Sequence, residues 1–315
     1  MSSNNMHYRY NVEYYDGLNM KEVKADESKC EFYFANSKDD NTMHKRSNAI
    51  IDFEFPDCNV FNLPEKELGI RSFNLFSAYP GIMIGIGNLH SISIEGAMQN
   101  GFTFDYVTGI PYLPGSSLKG LLKSAFPDKK FFKAKEQYIR SYLKNGKKQV
   151  DINGLKNHIF GSDDEKSPGK GIFYGVFPDV NSAENHRLLT DDYITPHNDE
   201  FTNPIPIRMV KIKPDIKFIF KFSCVPYKDE KNDIIITADD MCDLFQDIIL
   251  DMGIGAKTNV GYGVMVKVES KSLLKNDDSK LRAKKSKEFT NRKNNKKGPV
   301  KGNEQRSNNW QPRKK

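Results

Sequence analysis

The stretch Ile110-Pro111-Tyr112-Leu113-Pro114-Gly115-Ser116-Ser117-Leu118-Lys119-Gly120-Leu121-Leu122-Lys123 is a tight turn running into a helix start. Pro114-Gly115 makes the turn, because proline presets one φ and glycine accepts the positive φ that follows. Ser116 or Ser117 then stands at the N-cap, ahead of an apolar stripe at Leu118, Leu121, Leu122 and Ala125. The i, i+3, i+4, i+7 spacing predicts a helix over 117–125 with those four side chains on one face. Lys119 and Lys123, four apart, share another face. Two readings follow. Free N–H groups and the positive dipole end, flanked by hydroxyls and lysines, make a phosphate site. Alternatively, the segment is a well-capped core helix.

Outward from this stretch, Met241, Leu244, Phe245, Ile248, Ile249 and Met252 hold a three-four repeat that predicts a helix over 238–252, ended by Gly253. A loop from Gly253 to Gly263 leads to an expected strand over 263–268. Further strands are expected at 82–87, 171–177 and 217–223, the last alternating polar and apolar residues, and a further helix at 131–143. Strand 82–87, helix 117–125, strands 171–177 and 217–223, helix 238–252 and strand 263–268 run in βαββαβ order. That is an α+β, ferredoxin-like (RRM-like) plan with insertions. Residues 1–75 read as an N-terminal extension, 76–270 as the folded domain, and 271–315 as a tail without apolar periodicity, expected to be disordered.

The net charge of +7 hides a split: residues 271–315 hold 16 Lys+Arg against 4 Asp+Glu, leaving 32 against 37 for residues 1–270. Basicity therefore sits in the tail, and a pI argument for nucleic-acid binding by the folded body fails. The tail's lysines and arginines, with Trp310, would add salt-dependent RNA affinity. With no run of about 18 apolar residues, no membrane span is expected. Met1–Tyr15 lacks the apolar centre of a signal peptide, so a cytoplasmic protein is expected. Cys30, Cys58, Cys224 and Cys242 form no C-x-x-C pair, which supports neither a disulfide framework nor a metal site. No cofactor is expected.

The glycine loop departs from a dinucleotide fingerprint, since Thr258 stands where a glycine belongs and the order is helix, loop, strand. Gly115 and Gly120 have P-loop spacing, but Leu121 holds the lysine position. What remains is a bare backbone carrying Lys257, Thr258, Asn259 and Tyr262, able to approach a phosphodiester and stack a ring on a base. The competing reading is a long helix-to-strand connection whose glycines serve geometry. His197, beside Asp191 and Asp192, offers a general base for RNA cleavage, though a lone loop histidine more commonly packs or hydrogen-bonds. Asp191-Asp192 reads as solvated carboxylates rather than a metal site. His90, His158 and His186 have no partner at ligand spacing.

Gly85-Ile86-Gly87-Asn88, Gly109 to Gly120, Phe160-Gly161-Ser162, Thr195-Pro196-His197 and Gly253 to Thr258 through Gly261-Tyr262-Gly263 occur together and in order. In this the chain resembles the RAMP superfamily of CRISPR proteins, in particular the sixth-subunit family of the type III-B (Cmr) effector complex, over roughly residues 80–268. The resemblance implies a ferredoxin-like fold and a non-catalytic subunit that binds the guide (crRNA) and, through it, the target RNA. It also implies a hetero-oligomeric ribonucleoprotein, with this chain at the end holding the guide's 3′ portion. Its partners would be the backbone subunits, the small subunit and the first Cmr subunit. Target cleavage would belong to an aspartate of the backbone subunit, and cyclic-oligonucleotide signalling to the large polymerase-like subunit. Carried onto this sequence, the RNA-binding positions are Ser116, Ser117, Lys119 and Lys123, with Gly253, Gly255, Ala256, Lys257, Thr258, Asn259, Gly261 and Tyr262. The alternative is a metal-independent endoribonuclease that processes guide precursors with His197 or a tyrosine.

Overall fold

The computed structural model describes residues 3–22, 30–34, 41–57, 63–85, 94–143, 150–162, 166–195, 206–228 and 233–268. The first third holds α1 (Met6–Asn11), the hairpin β1 (Leu18–Glu22) and β2 (Cys30–Phe34), α2 (Thr42–Ile51) and the long strand β3 (Ile70–Ser77). Three helices follow, α3 (Gly115–Ala125), α4 (Phe132–Tyr142) and α5 (Ile152–Phe160). A run of strands comes next: β4 (Gly161–Ser162), β5 (Ser167–Pro168), β6 (Gly171–Phe173), β7 (Phe177–Pro178), β8 (Leu189–Ile194), β9 (Ile207–Ile212) and β10 (Lys217–Cys224). The chain closes with β11 (Tyr227–Lys228), β12 (Ile234–Ile236), α6 (Ala238–Met252) and β13 (Met265–Val266).

The main sheet is antiparallel in the order β13-β3-β10-β6, with β7 also on β10. Strand residues alternate between the two faces of a sheet. Leu75 and Phe73 of β3 therefore lie beside their register partners Phe218 and Phe220 of β10 on one face, next to Phe222. Phe73 stacks on Phe220 at 5.1 Å between centroids, and Phe222 meets Phe245 of α6 at 5.1 Å. Phe160 of α5 stacks on Phe173 of β6 at 5.6 Å. Each buried phenylalanine contributes about 2 kcal/mol of hydrophobic stabilisation. On the opposite face Lys221 pairs with Glu65 at 2.8 Å, and Ser72 and Asn74 are exposed.

Helix α6 matches its expected bounds and begins at a capping box, in which the Thr237 hydroxyl accepts from the Asp240 N–H and the Asp240 carboxylate accepts from the Thr237 N–H. Met241, Leu244, Phe245, Ile248 and Ile249 are its buried stripe. Other elements differ from the sequence reading. The first strand of the sheet is Ile70–Ser77, not 82–87: Ile82 and Met83 form single bridges to Ile212 and Ala256, and residues 86–87 lie outside the described residues. The strand expected over 171–177 breaks at Tyr174-Gly175, because Val176 leaves β10 to pair with Leu113. The strand expected over 263–268 is only Met265–Val266. Helix α5 and the β8–β9 hairpin were not anticipated.

The boundary expected at residue 75 runs through β3. Met6, Tyr10, Tyr14, Met43, Ile50 and Phe55 join the same buried cluster as Leu118, Phe220 and Ile248. Residues 1–270 form one compact unit. The tail lies outside the described residues, as do Cys58 and His197. Cys224 and Cys242 are free thiols whose burial pushes both up to about 12, so neither is a thiolate at neutral pH. Among the described residues no helix is long and apolar enough to cross a membrane, and no cluster of three or more His, Cys, Asp or Glu could hold a metal.

Candidate nucleic-acid interface

Helix α3 starts two residues earlier than its apolar stripe predicts, with Pro114 rather than Ser116 or Ser117 at the N-cap and no side-chain cap. The Pro114 carbonyl accepts from the N–H groups of Ser117 (2.9 Å) and Leu118 (3.1 Å). Leu113 and Val176 exchange two backbone bonds of 2.9 Å, which press the turn against the chain beside β6. A Cβ at position 115 would run into the Phe173 carbonyl oxygen, so that close approach requires glycine. Leu118, Leu122 and Ala125 are buried, Leu121 is half-buried, Ser116 and Ser117 are exposed, and Lys119 and Lys123 are half-buried. With no acidic residue in the first turn, this helix start offers hydroxyls and orphan N–H groups to an anion while its leucines anchor it.

The glycine loop is pinned at both ends and bulges between them. Ile254 is buried, and its N–H donates to the Gly263 carbonyl (2.8 Å). The Gly263 N–H donates to Gly81 (2.9 Å), and the Ala256 N–H donates to Met83 (2.8 Å). Lys257 is left-handed at φ 59, ψ 34, and Thr258–Val260 form one 3₁₀ turn ending at Gly261, φ 94. Gly255, Lys257, Asn259 and Val260 are exposed, with Ala256, Thr258 and Gly261 intermediate. The glycines thus divide by role. Gly253, Gly255 and Gly263 have backbone where a Cβ would stand, whereas Gly261 has nothing within 4 Å. Geometry thus accounts for the glycines at the loop's base, while the backbone at its tip is open.

Tyr262, expected to stack on a base, is 8% exposed. Its hydroxyl donates to Asp192 Oδ2 at 2.8 Å, Lys211 Nζ bonds the same oxygen at 2.5 Å, and that ammonium lies 5.6 Å from the ring centroid. Burial, followed by the Asp192 hydrogen bond, pushes the phenol up to about 12. Burial pushes the Asp192 carboxyl upward, but bonds from Lys211, Tyr262 and the Tyr193 N–H outweigh it and leave the group below the usual carboxylate range. Tyr262 therefore clamps the loop to the β8–β9 hairpin. Tyr262→Phe should cost about 1 kcal/mol. It should also speed amide exchange at 257–261, measured by hydrogen–deuterium mass spectrometry, with little change across α6.

Asp191 and Asp192 lie on β8, not in a solvated loop, and each is paired with the facing strand. Buried Arg208 holds Asp191 at 2.9 Å and also donates to Asn48 (2.7 Å) and to the Gly96 carbonyl (3.3 Å). Both carboxylates are half-buried, each paired with a buried cation of β9.

A backbone path joins the loop to the helix start. Ala256 pairs with Met83, the Thr103 N–H donates to Ile84 (3.2 Å), and the Tyr112 N–H donates to Thr103 (3.2 Å). At about 4.8 Å per paired step, Ala256 and Tyr112 lie within roughly 20 Å of one another. One exposed residue that the sequence reading did not single out stands beside this path. Tyr79, 83% exposed, sits in the turn whose Ala78 N–H donates to Val264 (2.9 Å) and whose Gly81 carbonyl takes the Gly263 N–H. The signal was an aromatic immediately before Pro80-Gly81.

The RAMP superfamily model matches residues 77–266, more than half of the chain, from the last residue of β3 through the helix start, the β8–β9 hairpin and the glycine loop. The chain belongs to the RAMP superfamily. This RAMP protein is similar to the Cmr6 subunit of the CRISPR Cmr system of Saccharolobus solfataricus, 26% identical over 171 residues, covering 53% of this chain and 48% of the relative. It is also similar to the Cmr6 subunit of Pyrococcus furiosus, 22% identical over 208 residues, covering 50% of this chain and 58% of that one. The chain thus spans about half the length of the curated relatives it matches. Among solved structures, a chain of the type III-B Cmr-β complex bound to cognate target RNA matches with a TM-score of 0.48 and 22% identity, covering 71% of this chain and 70% of that one. The crystal structure of Cmr6 from Pyrococcus furiosus matches with a TM-score of 0.40 and 18% identity, covering 63% of this chain and 99% of that one.

Proposed function

We propose that this RAMP protein is a non-catalytic, guide-RNA-binding structural subunit of a type III-B Cmr effector complex, at the end that holds the guide's 3′ portion. The observation that carries the reading is the pair of exposed backbone features within the superfamily region. One is the helix start at Ser116, Ser117 and Lys119. The other is the glycine-loop tip at Gly255, Lys257 and Asn259, tied to the first through residues 83–84, 103 and 112. Both suit phosphates and riboses, and neither is built to read base edges. A guide needs no more than this, because base pairing carries its sequence information.

The sheet supports a ferredoxin-like plan. In chain order β3, β6, β10 and β13 are its first to fourth strands, with α3 after the first and α6 after the third, and they lie side by side as fourth, first, third, second. The acidic balance of residues 1–270 suits a subunit with much of its surface against proteins, the backbone, small and first Cmr subunits being the expected neighbours. Lys123 is already engaged within the protein, and Tyr262 acts through the loop it clamps, so the phosphate contacts fall mainly to Lys119 and Lys257. A non-catalytic role makes a direct expectation for His197, the histidine that the sequence offers as a general base. The purified complex carrying His197→Ala should cleave target RNA at the wild-type rate, and the isolated wild-type protein should leave precursor RNA uncut. Specific cuts lost in His197→Ala would favour the processing endoribonuclease instead.

A further inference from the structure

Between α3 and α4 runs Asp128-Lys129-Lys130-Phe131-Phe132-Lys133-Ala134-Lys135. Residues 129–134 are all exposed, and Phe131 and Phe132 keep 51% and 43% of their surface in solvent. Among the residues whose burial is described they are the only exposed phenylalanines; Phe126, just before them, is fully buried. A run of charges alone is an ordinary solvated face, but two adjacent exposed phenyl rings inside it are not.

The pair is held in place. Asp128 Oδ1 accepts from the N–H groups of Lys130 (3.0 Å) and Phe131 (2.7 Å), and Oδ2 takes Lys135 Nζ at 2.5 Å. Pro127 behind it is buried, and its carbonyl accepts from Lys156 Nζ at 2.5 Å. Helix α4 is anchored by buried Ile139 and by Tyr138, whose hydroxyl donates to Asp251 of α6 at 3.0 Å. The turn is therefore fixed with both rings outward. Around them Lys129, Lys130 and Lys133 are exposed, with the Lys130 ammonium 5.1 Å from the Phe131 centroid. In a body with 32 Lys+Arg against 37 Asp+Glu, this is a cationic, aromatic island.

Rings that accept any base face, ringed by lysines that accept any phosphate, are the composition of a sequence-tolerant single-strand site. An acidic protein would satisfy the lysines and leave the rings without a stacking partner. The island is also continuous with the helix start, since the Lys119 and Lys123 face leads along α3, about 16 Å long, to its C-terminal end. We infer that Phe131 and Phe132 are a base-stacking platform for single-stranded RNA, with Lys129, Lys130 and Lys133 on its phosphates, at the opposite end of α3 from Ser116 and Ser117. The identity of the ligand rests on reading the chain as an RNA binder.

The test uses the full-length chain and a labelled single-stranded RNA of mixed sequence, titrated at several salt concentrations. Phe131→Ala with Phe132→Ala should weaken binding about 10-fold or more with an unchanged salt slope, and Phe131→Trp with Phe132→Trp should retain wild-type affinity. Lys129→Glu, Lys130→Glu and Lys133→Glu together should flatten the slope of log K against log salt by about 2. Both rings are exposed, so the alanine variant should unfold at the wild-type temperature, which excludes misfolding as the cause. Wild-type affinity in the alanine variant overturns the platform. If Lys119→Glu with Lys257→Glu abolishes binding in the same assay, the proposed function stands and the platform alone falls. An alanine variant that binds RNA normally but no longer joins the reconstituted complex also overturns it, marking a protein-docking surface instead.

Discussion

Lys119→Glu combined with Lys257→Glu should weaken retention of the guide by about 10- to 100-fold and flatten its salt dependence by about 1.4 in slope, the contribution of two single-strand phosphate contacts. Among the described residues neither lysine side chain has a hydrogen bond or ion pair to lose. Lys257 is exposed at the loop tip, and Lys119 is half-buried on the face of α3 away from its leucines. The loss should therefore appear without a change in unfolding temperature, which separates it from a folding defect. Guide content of the purified complex, read from its absorbance ratio and by gel, gives the same answer inside the assembly. Each single variant should show roughly the square root of the double effect, since the two sites lie on different elements and share no partner.

Gly263→Ala should cost about 3–5 kcal/mol, the largest stability loss expected from any single methyl in the loop. Position 263 has φ +77, and a Cβ there would run into the Ile254 carbonyl oxygen, with the Ile254 nitrogen at 3.2 Å. Relief requires breaking the bonds that close the loop's base, Ile254 N–H to Gly263 and Gly263 N–H to Gly81. The second of these also ties the loop to the turn carrying Tyr79. Gly261→Ala is the control. It has φ +94 but no atom within 4 Å of the added carbon, so only the strain of a left-handed residue remains, about 1–2 kcal/mol. Thermal unfolding should separate the two variants by several degrees. Equal midpoints would mean that the loop's base is not closed as described.

The legible parts of the chain were those whose signal is local. Helix α6 combines a strict apolar repeat, a capping box and a terminal glycine, and β10 places Phe218, Phe220 and Phe222 two apart, with Lys217, Lys221 and Ser223 among the residues between and beside them. The helix start was visible from Pro114-Gly115, although its cap was misjudged because Gly115 is fitted to a strand remote in sequence. Strand β3 was missed because Arg71, Ser72 and Asn74 interrupt its apolar residues along the sequence, while the more apolar Ile82 to Ile86 drew the assignment. The β8–β9 hairpin was read as a loop for a related reason. Its Asp191, Asp192, Arg208 and Lys211 look solvent-seeking in sequence, and only the fold reveals that they neutralise one another across strands. Helix α5 had its signal in the Asp151 cap and in Ile152, Leu155 and Ile159, but nine residues containing a glycine are too few for periodicity to stand out.

The site followed the same rule. The glycines of the 253–263 loop announced themselves, yet which of them serve packing and which leave the backbone open depends on the Ile254–Gly263 pairing and on Met83 and Gly81, which the loop sequence does not contain. Tyr262 resembled a stacking ring until its partner, 70 residues upstream, came into view.

The central claim is that the helix start and the loop tip hold the guide. Ultraviolet crosslinking of the purified complex, with this chain digested and its guide-linked peptides identified by mass spectrometry, tests it most directly. Peptides containing residues 116–119 and 255–259 should carry guide nucleotides from the 3′ portion. Guide crosslinks confined to other peptides of this chain, or a chain that stays in the complex with no crosslink to the guide at all, would contradict the claim.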